Sequence, residues 1–241
     1  TTEEVRKIEE VYNLPPKKIV ECGYGLLENL RREYLQYSEH AQKDTRIKVL
    51  IAPSWQSGNI MEEALEPILD ALEGEDIDIV VRPHPQYVRH FSNRIEYLKE
   101  TYKSCKNIQF QTDFSNNHTV FESSILISDW SGIAYEFAFA TQKPVLFINT
   151  PMKVMNPEYQ KIGIVPLEIS LRNQVGLSVD TNEIYRVPEV LHKLLEHQED
   201  YFQRIGELRD SYFYNFGSSG EAGAKYIVSA LKDKRQHGGT K

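Results

Sequence analysis

The sequence predicts an α/β domain of three layers, in which helices cover both faces of a parallel sheet of about six strands. Two observations carry this prediction. Helical and strand patterns alternate from the first residues to residue 149. Most of the predicted strands are continuous apolar runs rather than alternating apolar and polar residues, and such runs are typical of parallel strands that are buried on both faces.

The elements of the first half follow from apolar spacing and from the positions of the prolines. An apolar stripe through residues 2–14 marks a helix that the prolines at 15–16 end. The elements predicted after it are a short strand over 17–23, a helix over 26–37, a buried strand over 46–53, a helix over 60–73 bent at Pro67, and a strand that begins at 76 and is stopped by Pro83.

The second half continues the alternation and then changes character. The predicted elements are a helix over 93–103, strands over 107–113 and 124–128, a helix from 131 and a strand over 144–149. Residues 150–180 contain prolines and carry only a weak pattern, so we interpret them as irregular. Three helices are predicted to close the chain, over about 182–196, 198–214 and 219–233.

Composition excludes several classes of function. The net charge is −7 and the pI is near 5.6, which argues against nucleic acid as the main partner because a binding face would need a basic stripe. No apolar run reaches membrane-spanning length, and no signal peptide opens the chain. Cys22 and Cys105 form neither a metal-binding spacing nor a disulfide framework, so we expect a cytoplasmic location.

Polar, glycine-rich and titratable residues follow four of the predicted strands. The ligand crevice of an open α/β sheet lies beyond the carboxyl ends of its strands. We therefore expect these residues to converge on one rim of the sheet, and we predict that Ser54, Trp55 and Arg82 bind substrate there. The four strand ends carry Tyr24-Gly25, Ser54–Asn59, Arg82–Pro85 and Asp129–Gly132.

His84 is the candidate catalytic residue. It stands between Pro83 and Pro85, which fix the backbone on either side and therefore aim the imidazole. An imidazole can act as a general acid or base near neutral pH, or donate a hydrogen bond to a phosphate. The alternative is a histidine that only caps a turn. The other histidines show no pairing suggestive of zinc, so we predict no metal ligands.

The turn after the strand at 124–128 is the candidate phosphate site. Ser128 and Asp129 end the strand, and Ser131-Gly132 leaves the first N–H groups of the next helix open to an anion. The alternative is that Ser131 is only an N-cap. Glu136 lies little more than one turn inside that helix, where a carboxylate can accept hydrogen bonds from ribose hydroxyls; a solvated helix carboxylate is its alternative.

A second helix start that favours anions is predicted at Ser219-Gly220, within the segment 216–225. The serine can cap the last helix, and the glycine permits close approach of a ligand to the backbone. An ordinary helix cap is the alternative.

Taken together, these segments resemble the CDP-glycerol glycerophosphotransferase family, which builds teichoic-acid and related capsule polymers. The family carries a Pro-Thr-Trp-like motif, a His-Pro motif, a Thr/Ser-Asp-Tyr-Ser-Ser segment with an acidic residue five positions on, and a terminal Asp-Gly-x-Ala-Ser. The resemblance covers about residues 10–149 and 211–231. The matching segments are LPPKKIVECGYG, VLIAPSW, VVRPHP, LISDWSGIAYEFAFATQKPVLF and GSSGEAGAKYIVSAL.

The resemblance implies a Rossmann-like domain, the C-terminal nucleotide-binding half of a GT-B transferase. On this basis we expect residues 1–241 to form a single domain of a longer chain. The domain would bind CDP-glycerol or CDP-ribitol, and the polyol-phosphate would pass to a growing cell-surface polymer. Ser131-Gly132 would present N–H groups to the pyrophosphate, Asp129 and Trp130 would shape the turn, and Glu136 would hold the ribose.

The resemblance also implies the partners. They are a CDP-linked donor and a polyol-phosphate or glycan acceptor, and the part of the chain outside this sequence could associate with the inner face of the membrane. We expect no tightly bound cofactor, although a nucleotide diphosphate can bring its own Mg²⁺.

Several residues depart from the family pattern, and two further functions therefore stay open. Trp130 replaces the usual Tyr and Gly132 the second Ser, while Ser219 and Gly223 depart from the terminal motif. The first alternative is a GT-B glycosyltransferase that uses a UDP- or CMP-sugar. The second is a catalytically silent domain that binds nucleotide or polymer and positions a partner enzyme.

Overall fold

A computed structural model describes residues 1–41, 46–152 and 154–237 of the chain. Six strands form one sheet in the order β3-β2-β1-β4-β5-β6, and every neighbouring pair is parallel. The predicted Rossmann-like α/β fold is therefore confirmed. The strands are β1 (Ile47–Ile51), β2 (Ile77–Val81), β3 (Ile108–Phe110), β4 (Ile125–Ser128), β5 (Val145–Asn149) and β6 (Gly176–Asp180).

Helices flank the sheet and follow the strands. The α-helices are Thr2–Val11, Gly25–His40, Ile60–Glu63, Leu65–Ala71, Pro85–His90, Ser92–Thr101, His118–Glu122, Ile133–Thr141, Tyr159–Ile162, Leu167–Ser170, Arg172–Val175, Val187–Glu196, Gln198–Tyr212 and Ser219–His237, and a 3₁₀ helix spans Thr181–Arg186. The three predicted C-terminal helices are thus present. Among the helices of the described ranges, none is long and apolar enough to cross a lipid bilayer.

The centre of the sheet determines where a ligand crevice can form. The chain runs outward from β1 to β3 on one side, then crosses back to β4 and runs outward to β6 on the other. The strand order reverses between β1 and β4, whose residues Ile51 and Ile127 are paired. In doubly wound sheets the crevice lies at this reversal, outside the carboxyl ends of the strands.

The core explains why the central strands lack an alternating pattern. Residues 49–51 of β1 and all of β4 are buried, since helices cover both faces. The helix Ile133–Thr141 is buried along most of its length, including Phe137 and Phe139. The turn at residues 129–132 is therefore held between two buried elements, β4 before it and the helix Ile133–Thr141 after it.

The sequence predicts one strand that does not form and misses another that does. Residues 17–23 lie outside the sheet: Lys18 and Cys22 instead lie against the last helix, near Tyr226 and Gly223. That run is short and mostly exposed, so it buries too little apolar surface to form a strand of this sheet. The actual sixth strand is β6, inside the region interpreted as irregular.

The strand β6 could not be predicted from the apolar pattern, because of its composition and because it lies so close to β5. A Cβ atom at Gly176 would lie 1.7 Å from the carbonyl oxygen of Val145, so this position accepts only glycine. Glycine and aspartate, which begin and end this strand, are depleted in strands. Three single-turn helices, listed above between residues 159 and 175, also lie in the region interpreted as irregular.

The helix predicted over 60–73 breaks, but not at Pro67. Ala64 adopts non-helical angles (φ −139°, ψ −10°) and separates Ile60–Glu63 from Leu65–Ala71. Pro67 lies in the first turn of the second helix, where its missing N–H would have had no partner within the helix in any case.

Candidate functional site

The loops after β1, β2 and β4 meet at the carboxyl edge of the sheet because these three strands are neighbours. The predicted residues Ser54, Trp55, Arg82, His84 and the segment 128–132 all lie on these loops or at the ends of their strands. The expected convergence on one rim is therefore present for three of the four segments; Tyr24-Gly25 follows no strand, and Tyr24 instead reaches Glu136 from the start of the helix Gly25–His40.

Ser128 and Asp129 hold two of these loops together. The Asp129 side chain is buried; its Oδ1 accepts the Ser54 N–H at 2.7 Å and its Oδ2 accepts the Ile60 N–H at 3.0 Å. The Ser128 hydroxyl donates to the Ala52 carbonyl at 2.7 Å. Both side chains are thus engaged with backbone groups, and they fix the loop after β1 against the turn after β4.

The turn at residues 129–132 leads into a helix whose first N–H groups have no side-chain cap. The helix Ile133–Thr141 begins after Gly132, and its first residues receive no side-chain cap, so Ser131 does not cap it. The first N–H to bond back is that of Ala134, which donates to the Ser131 carbonyl at 3.2 Å. The amides of Gly132 and Ile133 precede it, and the space around the Gly132 Cα is open. Such N–H groups favour an anion, and the helix dipole adds to the effect.

Glu136 lies in the first turn of that helix and is half-buried. Its Oε1 accepts a hydrogen bond from the Tyr24 hydroxyl at 3.0 Å. Burial, and then the neighbouring carboxylate, raise the pKa of the Tyr24 phenol, which keeps it a donor at neutral pH. Tyr24 stacks on Phe213 with ring centroids 6.4 Å apart. The carboxylate therefore has a fixed partner beside the open helix start.

Two cavities adjoin this helix start. One, of about 280 Å³, is lined by Tyr24, Glu136 and Phe213 among others. The second, of about 450 Å³, is lined by Trp130, Ser131, Met152, Met155, Tyr159 and Arg172 among others. Gly132 lines both cavities, so a ligand whose anionic group lies at this residue can extend into either one.

His84 performs a structural task with one ring nitrogen. It is the N-cap of the helix Pro85–His90, and its Nδ1 accepts the Gln86 N–H at 3.1 Å. In a neutral imidazole one nitrogen accepts and the other carries the proton, so the proton lies on Nε2. The alternative interpretation of a capping histidine is therefore part of the structure, and the capping bond defines Nε2 as the donor atom of the neutral ring.

Trp55 and Arg82 flank His84. The Trp55 indole, 47% exposed, stacks on the imidazole with centroids 6.0 Å apart. The Arg82 guanidinium is half-buried against Phe114 and makes long hydrogen bonds of 3.4–3.5 Å to Thr119 Oγ1 and Asn117 Oδ1. Burial lowers the pKa of Arg82, but arginine stays charged at neutral pH. The rim thus combines a cation, an aromatic platform and an N–H donor.

Ser54 adds an unused polar atom to the rim. Its amide bonds to Asp129, while its buried hydroxyl has no hydrogen-bond partner among the described residues. A buried polar atom of this kind calls for an explanation.

Ser219 and Gly220 lie apart from these groups. The Ser219 amide, at the start of the helix Ser219–His237, donates to Glu28 Oε1 at 3.1 Å. Both residues line a cavity of about 720 Å³ that also contains Arg31 and Arg209, and neither lines the two cavities beside Gly132. A carboxylate of the chain therefore already occupies this helix start.

Arg172 is a residue of the site region that sequence reasoning missed. It is buried, lines the larger cavity and donates to the Asp129 carbonyl at 3.0 Å. It lies in the region interpreted as irregular, and no motif surrounds it. Among the described residues, no cluster of three or more His, Cys, Asp or Glu side chains could hold a metal ion.

Comparison with known proteins assigns the chain to a family. Residues 2–159 match the family described as CDP-Glycerol:Poly(glycerophosphate) glycerophosphotransferase. No curated protein sequence matches the chain.

Solved structures share the fold at low sequence identity. A variant of the wall teichoic acid polymerase TagF, soaked with CDPG, is 19% identical with a TM-score of 0.50; the alignment covers 96% of this chain and 56% of that one. UDP-GlcNAc 2-epimerase from Neisseria meningitidis, bound to UDP-GlcNAc, is 17% identical with a TM-score of 0.53, over 96% and 60% of the two chains. A glycosyltransferase from Rickettsia africae is 15% identical with a TM-score of 0.53, over 95% and 62%.

The chain thus spans less than two thirds of the length of these relatives. The neighbours establish the GT-B type of fold, and the family match covers well over half of the sequence. The chain belongs to the CDP-glycerol:poly(glycerophosphate) glycerophosphotransferase family.

Proposed function

We propose that this domain binds a CDP-activated polyol, CDP-glycerol or CDP-ribitol, for the transfer of polyol-phosphate to a growing cell-surface polymer. The observation that carries the proposal is the placement of Glu136 one turn inside a helix whose first amides are open, at the strand-order reversal of a parallel sheet. Amides there suit a diphosphate, and a carboxylate one turn away suits ribose hydroxyls.

The remaining rim residues fit the charge of such a donor. Arg82 supplies a positive charge and His84 an Nε2–H donor on the side of β2, and Trp55 offers an aromatic surface against the His84 ring. Any Mg²⁺ would be bound mainly by the phosphates of the donor, since the described residues offer no metal cluster. The acceptor would be a polyol-phosphate or glycan chain, and the reaction would take place in the cytoplasm, at the inner face of the membrane.

The proposed chemistry needs charge stabilisation more than a strong base from this domain. An acceptor hydroxyl attacks the phosphorus that bears the polyol, the phosphoanhydride bond breaks, and CMP leaves with the bonding electron pair. The hydroxyl proton passes to a base that we place in the remainder of the enzyme. His84 would donate its Nε2–H to a phosphate oxygen on which negative charge develops.

A nucleotide panel tests the proposed donor. Calorimetric titration of the chain with CDP, UDP, GDP and ADP is expected to show tightest binding for CDP. Tightest binding of UDP would instead support a glycosyltransferase. Absence of binding by any of the four would contradict the proposal and favour a silent domain.

One observation favours the glycosyltransferase alternative. The cavity of about 450 Å³ beside the turn has Trp130, Met152, Met155 and Tyr159 in its wall. An aromatic and apolar wall of this size suits the face of a sugar ring better than it suits a three-carbon polyol. Titration with CDP-glycerol, CDP-ribitol and UDP-sugars distinguishes the two candidates directly.

Glu136→Ala is expected to weaken CDP binding by about 1–3 kcal/mol, the contribution of charge-assisted hydrogen bonds to the ribose. The measurement is calorimetric titration of folded protein. The matched control is Glu122→Ala: this half-buried glutamate also accepts a tyrosine hydroxyl, that of Tyr37 at 2.9 Å, but lies near Lys48 at the amino end of β1. Equal CDP affinity in the two variants would mean that Glu136 does not contact the nucleotide.

A further inference from the structure

The buried guanidinium of Arg172 is held by neutral groups. Its Nη1 donates to the Asp129 carbonyl at 3.0 Å, and its Nη2 donates to Asn149 Oδ1 at 3.0 Å and to the Ile148 carbonyl at 3.3 Å. The side chain is 6% exposed. Among the described residues, no carboxylate forms a salt bridge with it, although burying a charge without a partner is costly.

Aromatic rings hold the charge in place. The guanidinium carbon lies 4.1 Å from the centroid of the Trp130 ring and 4.2 Å from that of Phe147. Such contacts favour a cation, but they neutralise no charge. Burial lowers the pKa of Arg172 to about 10, so the group is still charged at neutral pH.

The nearest acidic groups are already engaged. Asp129 contributes an attractive charge, but its two oxygens accept the amides of Ser54 and Ile60. The Tyr135 hydroxyl donates to the Glu168 carbonyl, and burial raises its pKa to about 12, so it stays neutral. The charge of Arg172 is therefore compensated only in part by the chain.

Arg172 is also attached directly to the candidate phosphate turn. It bonds to the carbonyl of Asp129 and packs on Trp130, the two residues just before Ser131-Gly132. It lines the same cavity as Ser131 and Gly132. A cation placed behind the open amides adds to their attraction for an anion, because the low dielectric of the interior screens it weakly.

We propose that Arg172 is a positioning residue for the diphosphate of the donor: it fixes the turn at residues 129–132 and supplies a buried positive charge behind the open amides. The proposal rests on the nucleotide-diphosphate site proposed above. It predicts that the contribution of Arg172 appears only for ligands that carry phosphate.

The test compares CDP with cytidine on folded variants, by calorimetric titration at low and high salt. Arg172→Met removes the charge but fills the space between the two rings, and Arg172→Gln removes the charge with a polar side chain. Both are expected to bind CDP about 10-fold or more weakly while their cytidine affinity changes less than about twofold. Arg172→Lys keeps the charge and should stay within about threefold of the unmodified chain for CDP.

The control is a variant of an arginine outside the proposed site. Arg94→Gln removes a guanidinium that pairs with Glu66 and lines neither of the two cavities beside Gly132, and it should leave both affinities unchanged. Equal losses of CDP and cytidine in Arg172→Met, or equal losses of CDP in the Met and Lys variants, would show a structural role alone and overturn the proposal. If the unmodified chain binds neither CDP nor cytidine, the proposed function itself fails.

Discussion

His84→Ala is expected to lower kcat for polyol-phosphate transfer by about 10²–10⁴-fold, the usual loss when a donor to a developing charge is removed. The physical reason is that the ring offers Nε2–H from a fixed direction, since Nδ1 is bound to the Gln86 amide and Trp55 covers one face. The measurement is the rate of CMP release in a preparation that carries out the transfer.

Two further variants separate the donor role of His84 from its capping role. His84→Asn places an oxygen near the position of Nδ1 and so keeps the cap, but it lacks the Nε2–H donor. His84→Gln reaches the position of Nε2 with an N–H group and loses the cap, at a cost of about 1 kcal/mol in the free energy of unfolding.

We therefore expect the asparagine variant to be stable and slow, and the glutamine variant to be less stable but partly active. Alanine and asparagine variants that retain kcat within a few-fold of the unmodified enzyme would leave His84 with its capping role alone.

Asp129→Ala is expected to reduce the free energy of unfolding by about 3–5 kcal/mol. The substitution leaves the buried amides of Ser54 and Ile60 without their acceptor, and it opens a void where β4 meets the loop after β1. Urea denaturation followed by circular dichroism measures the change. We expect CDP binding to weaken as well, because the turn and the loop lose their common anchor.

The matched control for Asp129 is an exposed aspartate with similar bonds. The Asp113 carboxylate accepts the Ser115 amide and hydroxyl, both at 2.9 Å, in a solvent-exposed turn. Water can replace that carboxylate, so Asp113→Ala should cost less than about 1 kcal/mol. An Asp129→Ala loss as small as this would mean that the loop relaxes to satisfy its amides in another way.

The sequence was sufficient for the parts of the fold that depend on apolar runs. The runs at β1, β2, β4 and β5 are long enough to have only one interpretation, and their alternation with helices predicts a parallel sheet. β6 was missed because its identity depends on a contact with another strand: Gly176 is required by the carbonyl of Val145, and no local pattern records that requirement. Residues 17–23 were wrongly predicted to form a strand because the run is short and mostly exposed, and it buries too little apolar surface to join the sheet.

Some residues of the candidate site could also be predicted from local sequence, and others could not. The positions of His84, Ser131-Gly132 and Glu136 relative to their strands and helices follow from local spacing, and the structure places them where that spacing predicts. Whether they contact a nucleotide stays a prediction. Arg172 was beyond sequence reasoning, because its importance arises from the burial of its charge against Trp130 and Phe147.

The two tryptophans of the chain have a practical consequence. Trp55 stacks on His84, and Trp130 packs on Arg172 and lines the cavity of about 450 Å³, with its Nε1–H bonded to the Thr150 carbonyl. All of the indole emission therefore originates at the proposed site. A nearby imidazolium or guanidinium alters indole fluorescence, and so does a change in solvent exposure. Ligand arrival should thus be visible without a label, and Trp55→Phe and Trp130→Phe would assign the signal to one side of the crevice or the other.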